Sequence, residues 1–332
     1  MRCSVIILNW NGEDMLRQFL PSVVQHSLLP DCEVVVADNG STDHSIQLLQ
    51  AFPQVRTIHF DKNYGFAEGY NKALDETDAE YAILLNSDVE VTERWLATLL
   101  DYMDAHPEVA ACQPKILSYK NQTHFEHAGA AGGFIDRYGY PYCRGRILSH
   151  VEEDKGQYDD SIECFWATGA CLCIRTNIYK ECGGLDAHFF AHMEEIDLCW
   201  RLQCRGYKVA CVSSARVYHV GGGALDYTNP RKTYLNFRNN LLMLYKNLPE
   251  NRLHKVLFVR FWFDYVAALQ YLATGQWQNF RAVLKARKDY RKMRKGYVSL
   301  RTENIKKAVL PYPSLIVNRS IITDYYLRGK RV

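Results

Sequence analysis

The sequence predicts an α/β fold: a mostly parallel central sheet flanked by helices, followed by a helical extension at the C-terminus. Three observations carry that prediction. Short apolar runs rich in Val, Ile and aromatic residues recur at 3–8, 33–37, 55–60 and 81–85; each is too short for a helix and reads as a buried strand. The segments between them have helical spacing, as in Met15, Phe19 and Val23 and again in Ile46 and Leu49, and strand alternating with helix builds a parallel sheet with crossover helices. The charge, finally, is divided. Residues 1–251 hold 22 basic and 33 acidic side chains and residues 252–332 hold 18 and 4, so an overall +3 conceals a net −11 followed by a net +14. A chain divided in this way has two parts that face different surroundings.

The 332 residues, 48% hydrophobic and 23% charged, exclude disorder as a description of the chain and suit one large or two modest domains. Eleven cysteines without any C-x-x-C pair argue against a disulfide scaffold or a zinc site and for reduced, buried thiols. The opening Val5-Ile6-Ile7-Leu8 run is too short for a signal-peptide core. The charge-free run 265–280 falls short of the ~20 residues of a membrane span, so no transmembrane helix is expected.

In parallel sheets ligands gather beyond the carboxyl ends of the strands, which makes the residues after each strand informative. The first strand ends in Asn9-Trp10-Asn11-Gly12 and the second in Asp38-Asn39-Gly40-Ser41-Thr42-Asp43. The third leads to Asn63-Tyr64-Gly65-Phe66-Ala67-Glu68-Gly69-Tyr70-Asn71 and the fourth to Asn86-Ser87-Asp88. Singly, each is a turn or helix cap. A polar, Gly-rich turn at every strand exit points instead to one shared crevice.

The middle stretch, 109–215, is less regular. Gly-rich loops carry Arg137, Arg144 and Arg146, and Phe165-Trp166-Ala167-Thr168-Gly169-Ala170 precedes a strand at 171–175. Gly183-Gly184-Leu185-Asp186 leads to a helix that opens with Glu194-Glu195-Ile196-Asp197 and closes at Gly206. A strand at 208–212 then runs towards His219 and Gly221-Gly222-Gly223.

Asp88 places a carboxylate just past an apolar strand. Mg2+ or Mn2+ needs few protein oxygens when substrate phosphates share the ion. His219 is the candidate partner, with a hydrogen-bonded structural histidine as the alternative. Among the acidic residues at 194–197, Asp197 can pair with Arg201 one turn on, and Glu194 and Asp197 share a face from which Glu195 is rotated by about 100°. At most one of these carboxylates is a general base.

These motifs, in this order and spacing over about 220 residues, resemble the family 2 inverting glycosyltransferases of GT-A fold, and among them bacterial rhamnosyltransferase-like and cell-surface polysaccharide transferases. The matching residues are Asn9-Trp10-Asn11-Gly12, Asp38-Asn39-Gly40-Ser41, Asn63-x-Gly65-Phe66-Ala67-x-Gly69-x-Asn71, Asn86-Ser87-Asp88, Thr168-Gly169-Ala170, Gly184-Leu185-Asp186, Glu194-Glu195-x-Asp197 and His219-x-Gly221-Gly222. The resemblance implies that Trp10, Asp38, Ser41, Asn63, Gly65, Asn71 and Asn86 bind the nucleotide-sugar donor. It implies Asp88 and His219 as metal ligands, Glu195 or Glu194 as the base, and Trp166, Asp186 and Arg144 on the acceptor side. Two positions depart from the pattern: Asn86 stands where the family has the first Asp of its Asp-x-Asp motif, and Glu195 where many relatives have Asp.

The resulting expectation is a catalytic domain over 1–250, with a nucleotide-binding half at 1–120 and an acceptor-side half at 121–250, and a basic helical region over 251–332. The chain would transfer a sugar, from dTDP-rhamnose or a UDP-sugar, to a saccharide or lipid-linked acceptor with the help of Mn2+ or Mg2+. A catalytically impaired sugar-nucleotide-binding protein is the alternative. A nicotinamide oxidoreductase is excluded, because Gly-x-Gly-x-x-Gly is missing after the first strand.

Seven of the twelve residues at 284–295 are Lys or Arg, and Ala286, Tyr290, Met293 and Tyr297 form an apolar stripe at helical spacing. That combination predicts an interfacial helix on an anionic leaflet, with packing against the catalytic domain as the alternative. The expected location is cytoplasmic, held peripherally on the inner face of the cytoplasmic membrane. No nucleic-acid motif accompanies the basic patch, and no nucleic acid is expected as a partner.

Overall fold

A computed structural model describes residues 1–126, 129–221 and 229–330. The first half alternates as expected: β1 (Cys3–Asn9), α1 (Glu13–Ser27), β2 (Cys32–Asp38), α2 (Ser45–Leu49), β3 (Arg56–His59), α3 (Gly65–Asp75), β4 (Tyr81–Leu85), β5 (Val89–Val91), α4 (Trp95–Ala105) and β6 (Val109–Ser118). Small strands follow as β7 (Gly133–Asp136), β8 (Pro141–Cys143), β9 (Arg146–Ile147), β10 (His150–Val151) and β11 (Ile162–Glu163). After them come β12 (Cys171–Arg175), α5 (Thr176–Glu181), α6 (Glu194–Cys204) and β13 (Lys208–His219). The chain ends in α7 (Pro230–Asn247), α8 (Glu250–Ala273), α9 (Trp277–Met293), α10 (Val298–Lys307), β14 (Ile316–Val317) and α11 (Ile321–Arg328).

The main sheet has the order β11-β13-β6-β12-β4-β1-β2-β3, with β5 beside β13. The β4-β1-β2-β3 part is parallel, β12 runs antiparallel between β4 and β6, and β13 returns parallel to β6. The sheet is therefore mixed and mostly parallel, as the sequence predicts. Alternation along β1 sends Ile6 to one core layer and Val5 and Ile7 to the other, which is the period-2 signature of a strand covered on both faces.

Strand β13 outruns the expected 208–212 because Ser213-Ser214 interrupts the apolar run without ending the strand. The register against β6 shifts between Val212 and Arg216, and pairing then resumes to His219 opposite Ser118. That irregularity carries the strand's end, and His219 with it, beside β5 and the turn after β4.

The C-terminal helices share their core with the sheet: Leu241, Leu244, Tyr290, Tyr297 and Ile316 lie in the same cluster as Ile6 and Leu84. The second, five-stranded sheet β10-β9-β8-β7-β14 stitches the extension in, since β14 pairs parallel with β7. All eleven cysteines are free thiols, and every one but Cys32 is buried.

Two expectations about this region change. The apolar stripe of α9 does not face outward: Ala286, Tyr290 and Tyr297 are buried in the shared core and Met293 is half-buried. And α8, with 24 residues, is long and apolar enough to cross a membrane by length and composition. Counting charge-free runs missed it because Arg260 and Asp264 stand mid-helix, where they satisfy one another.

Candidate active site

The first two strand exits form one polar cradle. Parallel register sets Asn9 beside Asp38. Asn9 Nδ2 donates to Asp38 Oδ1 at 3.1 Å and to Ser41 Oγ at 3.2 Å. Asp38 Oδ2 accepts from the Ser41 amide at 3.0 Å, and Ser41 Oγ accepts from the Asn11 amide at 2.9 Å. Asn9 Oδ1 is buried without a partner and lies against Gly12, where a Cβ would stand 2.4 Å from it. Trp10, 55% exposed, offers an indole face at the edge of this cradle.

The third exit is braced against the first two. Asn63 Oδ1 accepts from the Gly65 amide at 2.7 Å and from Asn39 Nδ2 at 3.2 Å. Gly65 has φ +81°, and a Cβ there would lie 2.5 Å from the Phe190 ring, so both its conformation and its contact require glycine. Asn71 does not reach the crevice through its side chain. Its Oδ1 accepts from the Leu185 amide at 3.0 Å and its Nδ2 donates to the Leu185 carbonyl at 2.8 Å, which ties α3 to the loop before α6.

The fourth exit meets the end of β13. Asp88 Oδ1 lies 3.1 Å from His219 Nε2, and Asn86 Nδ2 lies 3.4 Å from the same nitrogen. Nδ1 on the far side of the ring contacts Glu126 Oε2 at 3.0 Å. Burial alone would lower the imidazole pKa, but Asp88 and Glu126 outweigh it and hold the ring up at about 10. Gly221 approaches Glu126 so closely that a Cβ would stand 2.3 Å from its Oε1. Gly222 and Gly223 lie outside the described residues.

The acidic helix α6 brings the next group. Glu194 is buried, Glu195 is half-buried, and each has an Oε2 shielded from water with no partner. Burial, reinforced by the neighbouring Glu195 charge, pushes the Glu194 carboxyl well above the carboxylate range. Burial pushes Glu195 up to about 7. Glu195 lies beside the Thr168-Gly169-Ala170 turn: a Cβ on Gly169 would be 4.0 Å from Glu195 Cβ and 3.1 Å from the Phe66 ring. That turn is joined to the fourth strand exit, since the Asn86 amide donates to the Ala170 carbonyl at 3.0 Å. Asp197 faces away, paired with Arg201 and Lys246.

The acceptor-side candidates are otherwise engaged. Trp166 is 5% exposed, lies under Gly133 and donates Nε1 to the Phe134 carbonyl at 2.9 Å. Asp186 is held by Lys246 at 2.7 Å and caps the turn at His188. Arg144 forks onto Asp160 at 3.0 and 3.1 Å and stacks over the Tyr158 ring. All three therefore brace the fold, and none presents a free polar group to an acceptor.

Sequence reasoning passed over Glu126, because the irregular loop around it has no periodicity to single it out. It also passed over Arg238 and Asn239. Arg238 donates to the carbonyls of His188 and Phe189, and Asn239 to those of Phe189, Ala191 and His192, just ahead of the acidic helix. The signal was slight: Arg238-Asn239-Asn240 stands directly before the apolar run Leu241-Leu242-Met243-Leu244, and polar groups buried there need partners.

A mixed, mostly parallel sheet, a crevice of polar strand exits and two shielded glutamates beside it make up the candidate site, on a fold shared with solved GT-A structures. Residues 4–183, more than half of the chain, match the family described as Glycosyl transferase family 2, and the chain belongs to that family. It is 26% identical over 231 residues to the N-acetylglucosaminyl-diphospho-decaprenol L-rhamnosyltransferase of Mycobacterium tuberculosis, a match that covers 65% of this chain and 75% of that protein. Against the O-antigen biosynthesis protein RfbC of Myxococcus xanthus it is 26% identical over 222 residues, which span 66% of this chain but only 17% of that protein. Among solved structures it resembles GalNAc-T7 with UDP, GalNAc and Mn2+ (TM-score 0.59, 15% identity, 93% of this chain and 58% of that one). It also resembles S. aureus TarS 1–349 in complex with UDP-GlcNAc (TM-score 0.56, 17% identity, 92% and 89%).

Proposed function

We propose that the protein transfers a sugar from a nucleotide-sugar donor, dTDP-rhamnose or a UDP-sugar, to a saccharide or lipid-linked acceptor in cell-surface polysaccharide synthesis. The observation that carries the reading is Glu195, a carboxylate with an unpartnered oxygen and a pKa of about 7, beside the turn hydrogen-bonded to Asn86. A base tuned to that value is half-ionised near neutrality and suited to take the proton of an attacking hydroxyl. The attack displaces the nucleoside diphosphate in a single step and inverts the anomeric carbon, so no nucleophilic side chain is required. Glu194, buried deeper and pushed higher, stays neutral beside it. The rhamnosyltransferase and O-antigen names among the relatives support the choice of donor and pathway class, and the UDP-GlcNAc in a fold neighbour supports a nucleotide sugar.

The residues at the fourth strand exit fit a divalent cation. Glu126 fixes His219 through Nδ1 and leaves Nε2 towards Asp88 and Asn86, the arrangement of a ligating histidine with a carboxylate behind it, in which a bound cation would replace the Nε2 proton that Asp88 and Glu126 otherwise retain. Among the described residues no three His, Cys, Asp or Glu side chains close on one point, so Asp88, His219 and the Asn86 amide oxygen would hold Mn2+ or Mg2+ together with donor phosphates. Once bound, the ion neutralises charge on the departing diphosphate. The cradle of Asn9, Asp38 and Ser41, with Trp10 above it, takes the nucleotide.

The net positive charge of residues 252–332 supports a cytoplasmic location against the anionic inner face of the cytoplasmic membrane. A panel of dTDP-, UDP- and GDP-sugars with Mn2+ or Mg2+ tests the activity; absence of both transfer and slow hydrolysis overturns it. Asn86 favours one other reading, a binding protein of the same fold. Glu195→Gln separates the two: an enzyme loses turnover and keeps nucleotide affinity, whereas a binding protein is indifferent.

A further inference from the structure

Helix α8 is built the wrong way round for water. The two charges in its middle point inward: Arg260 and Asp264 are 2% and 0% exposed, while Arg252 and Lys255 near its start are exposed. Arg260 donates to Asp264 at 3.2 Å and to the Tyr138 carbonyl at 3.0 Å, and Arg287 of α9 pairs with the other oxygen of Asp264. Its outward residues are Phe258, Trp262, Val266, Leu269 and Leu272, each between 41% and 65% exposed. They recur at i, i+4, i+8, i+11 and i+14, so they line one face. Trp277, 54% exposed, extends the patch across the turn into α9. A contiguous run of this kind marks an interaction surface.

The surroundings decide what covers it. Helix α9, which follows and packs on α8, exposes Arg281, Lys288 and Arg291, and Lys285 paired with Asp289, and residues 252–332 carry 18 basic side chains against 4 acidic. A second copy would bring the same positive region against itself. An anionic bilayer offers the opposite charge at its surface and hydrocarbon below, and each cation near it adds to the attraction. Indole rings favour that boundary. Helix α8 has the length of a span, but its other face, Leu253, Val256, Arg260, Asp264 and Ala268, is buried in the protein, so the helix lies along the surface with one side immersed.

We propose that the outward face of α8, from Phe258 to Leu272 with Trp277, seats the protein in the interfacial layer of an anionic membrane, while the cations of α9 meet its headgroups. This rests on the membrane-surface part of the preceding reading and deepens it; the stripe of α9 is already spent on packing, and sugar transfer plays no part in the argument.

Sedimentation of the full chain with vesicles of phosphatidylcholine and phosphatidylglycerol, mixed about two to one, tests it. The wild-type protein is expected to pellet with these vesicles, to stay in solution with pure phosphatidylcholine, and to show blue-shifted Trp emission quenched by brominated lipid. The combined variant Phe258→Ser, Trp262→Ser, Leu269→Ser keeps every charge and is expected to bind at least about tenfold more weakly, its melting temperature reporting that it remains folded. Should that variant misfold, the wild-type quenching still decides, because unquenched Trp emission in pelleted protein overturns the immersed face. Equal binding by a folded variant overturns the proposal. So does a wild-type dimer that dissociates on these substitutions, since the face then belongs to a second copy. Donor hydrolysis is assayed in parallel. Vesicle binding without transfer or hydrolysis removes the transferase reading alone, and transfer or hydrolysis without vesicle binding removes this one alone.

Discussion

The side-chain amide of Asn239 lies 2.8 Å from the carbonyl oxygen of His192, and the same nitrogen reaches the carbonyls of Phe189 at 3.0 Å and Ala191 at 2.9 Å. The segment it holds is strained: Phe190, His192 and Met193 have φ of +66°, +71° and +73°, and Glu194 follows at once. Non-glycine residues adopt that region at a cost of about 1–3 kcal/mol each and keep it only where neighbours over-determine it. Asn239 and Arg238 of α7 are those neighbours, so the C-terminal helices hold the loop that aims the acidic pair.

Asn239→Ala is therefore expected to reduce kcat by about 10–100-fold, in line with misplacement of a reacting group by an ångström. The donor Kd should change much less than kcat, because the cradle at Asn9 and Asp38 lies at the ends of β1 and β2 and only the Gly65 turn touches this loop, through Phe190. Asn239→Asp should do no better, since a carboxylate cannot donate to three carbonyls. Steady-state rates alongside nucleotide titration check this; a parallel loss of donor affinity would mean general unfolding instead.

Glu126 holds His219 from behind. Glu126→Gln keeps the size and hydrogen bond but loses the charge, and is expected to weaken Mn2+ binding by about tenfold; Glu126→Ala should weaken it by up to about a hundredfold. Titration calorimetry with Mn2+ in the presence of UDP reads the effect independently of turnover.

The ionisation of Glu195 predicts a pH profile. A base held at about 7 instead of the ordinary 4.5 gains activity as pH rises through 7. Glu195→Gln should cost about 10²–10⁴ in kcat and remove that limb. Stability moves the other way. Between about 4.5 and about 7 the folded carboxyl keeps a proton that the unfolded chain has released, so folding stability falls as pH rises across this window. In Glu195→Gln that fall should shrink, with a melting temperature raised by about 2–4 °C at pH 8 relative to wild type and little changed at pH 4.5.

The fold was legible because its first half is repetitive: each strand is an apolar run and each exit a polar turn, although β3 at the sheet edge is mostly exposed and not buried as its Val and Ile content suggested. What escaped reading depends on contacts between distant segments. Arg260 and Asp264 looked like charges that interrupt an apolar run, whereas in three dimensions they neutralise each other against Arg287. The stripe Ala286, Tyr290 and Tyr297 has the spacing of an amphipathic helix, but spacing does not say which surface it meets, and here it meets α7 and the shared core. Asn71 and Asp186 sit within motifs that suggest a ligand, yet Asn71 bonds the Leu185 backbone and Asp186 pairs with Lys246. Polar type at a strand exit tells of a crevice; which polar atoms remain free in it is decided by the loops that close over them.

Lys246 offers a test of how firmly the extension is joined to the acidic helix. Its ammonium, 4% exposed at the side chain, sits 2.7 Å from Asp186 and 2.6 Å from Asp197, and Asp197 is further bound by Arg201 and by Asn247 at 2.7 Å. Replacing one partner of a buried ion pair leaves the other charge uncompensated, at about 3–5 kcal/mol. Lys246→Met keeps most of the side-chain volume, so its cost should come from charge rather than from a cavity. The two carboxylates are not equivalent, however. Asp197 retains Arg201, while Asp186 keeps only exposed His188 and the hydroxyl of Tyr297. Adding Asp186→Asn to Lys246→Met should consequently recover a large part of the lost stability in urea denaturation, whereas adding Asp197→Asn should recover less, because it strands Arg201 in turn. Equal recovery from the two would show that the cluster is wet and that α7 is joined to α6 by packing alone.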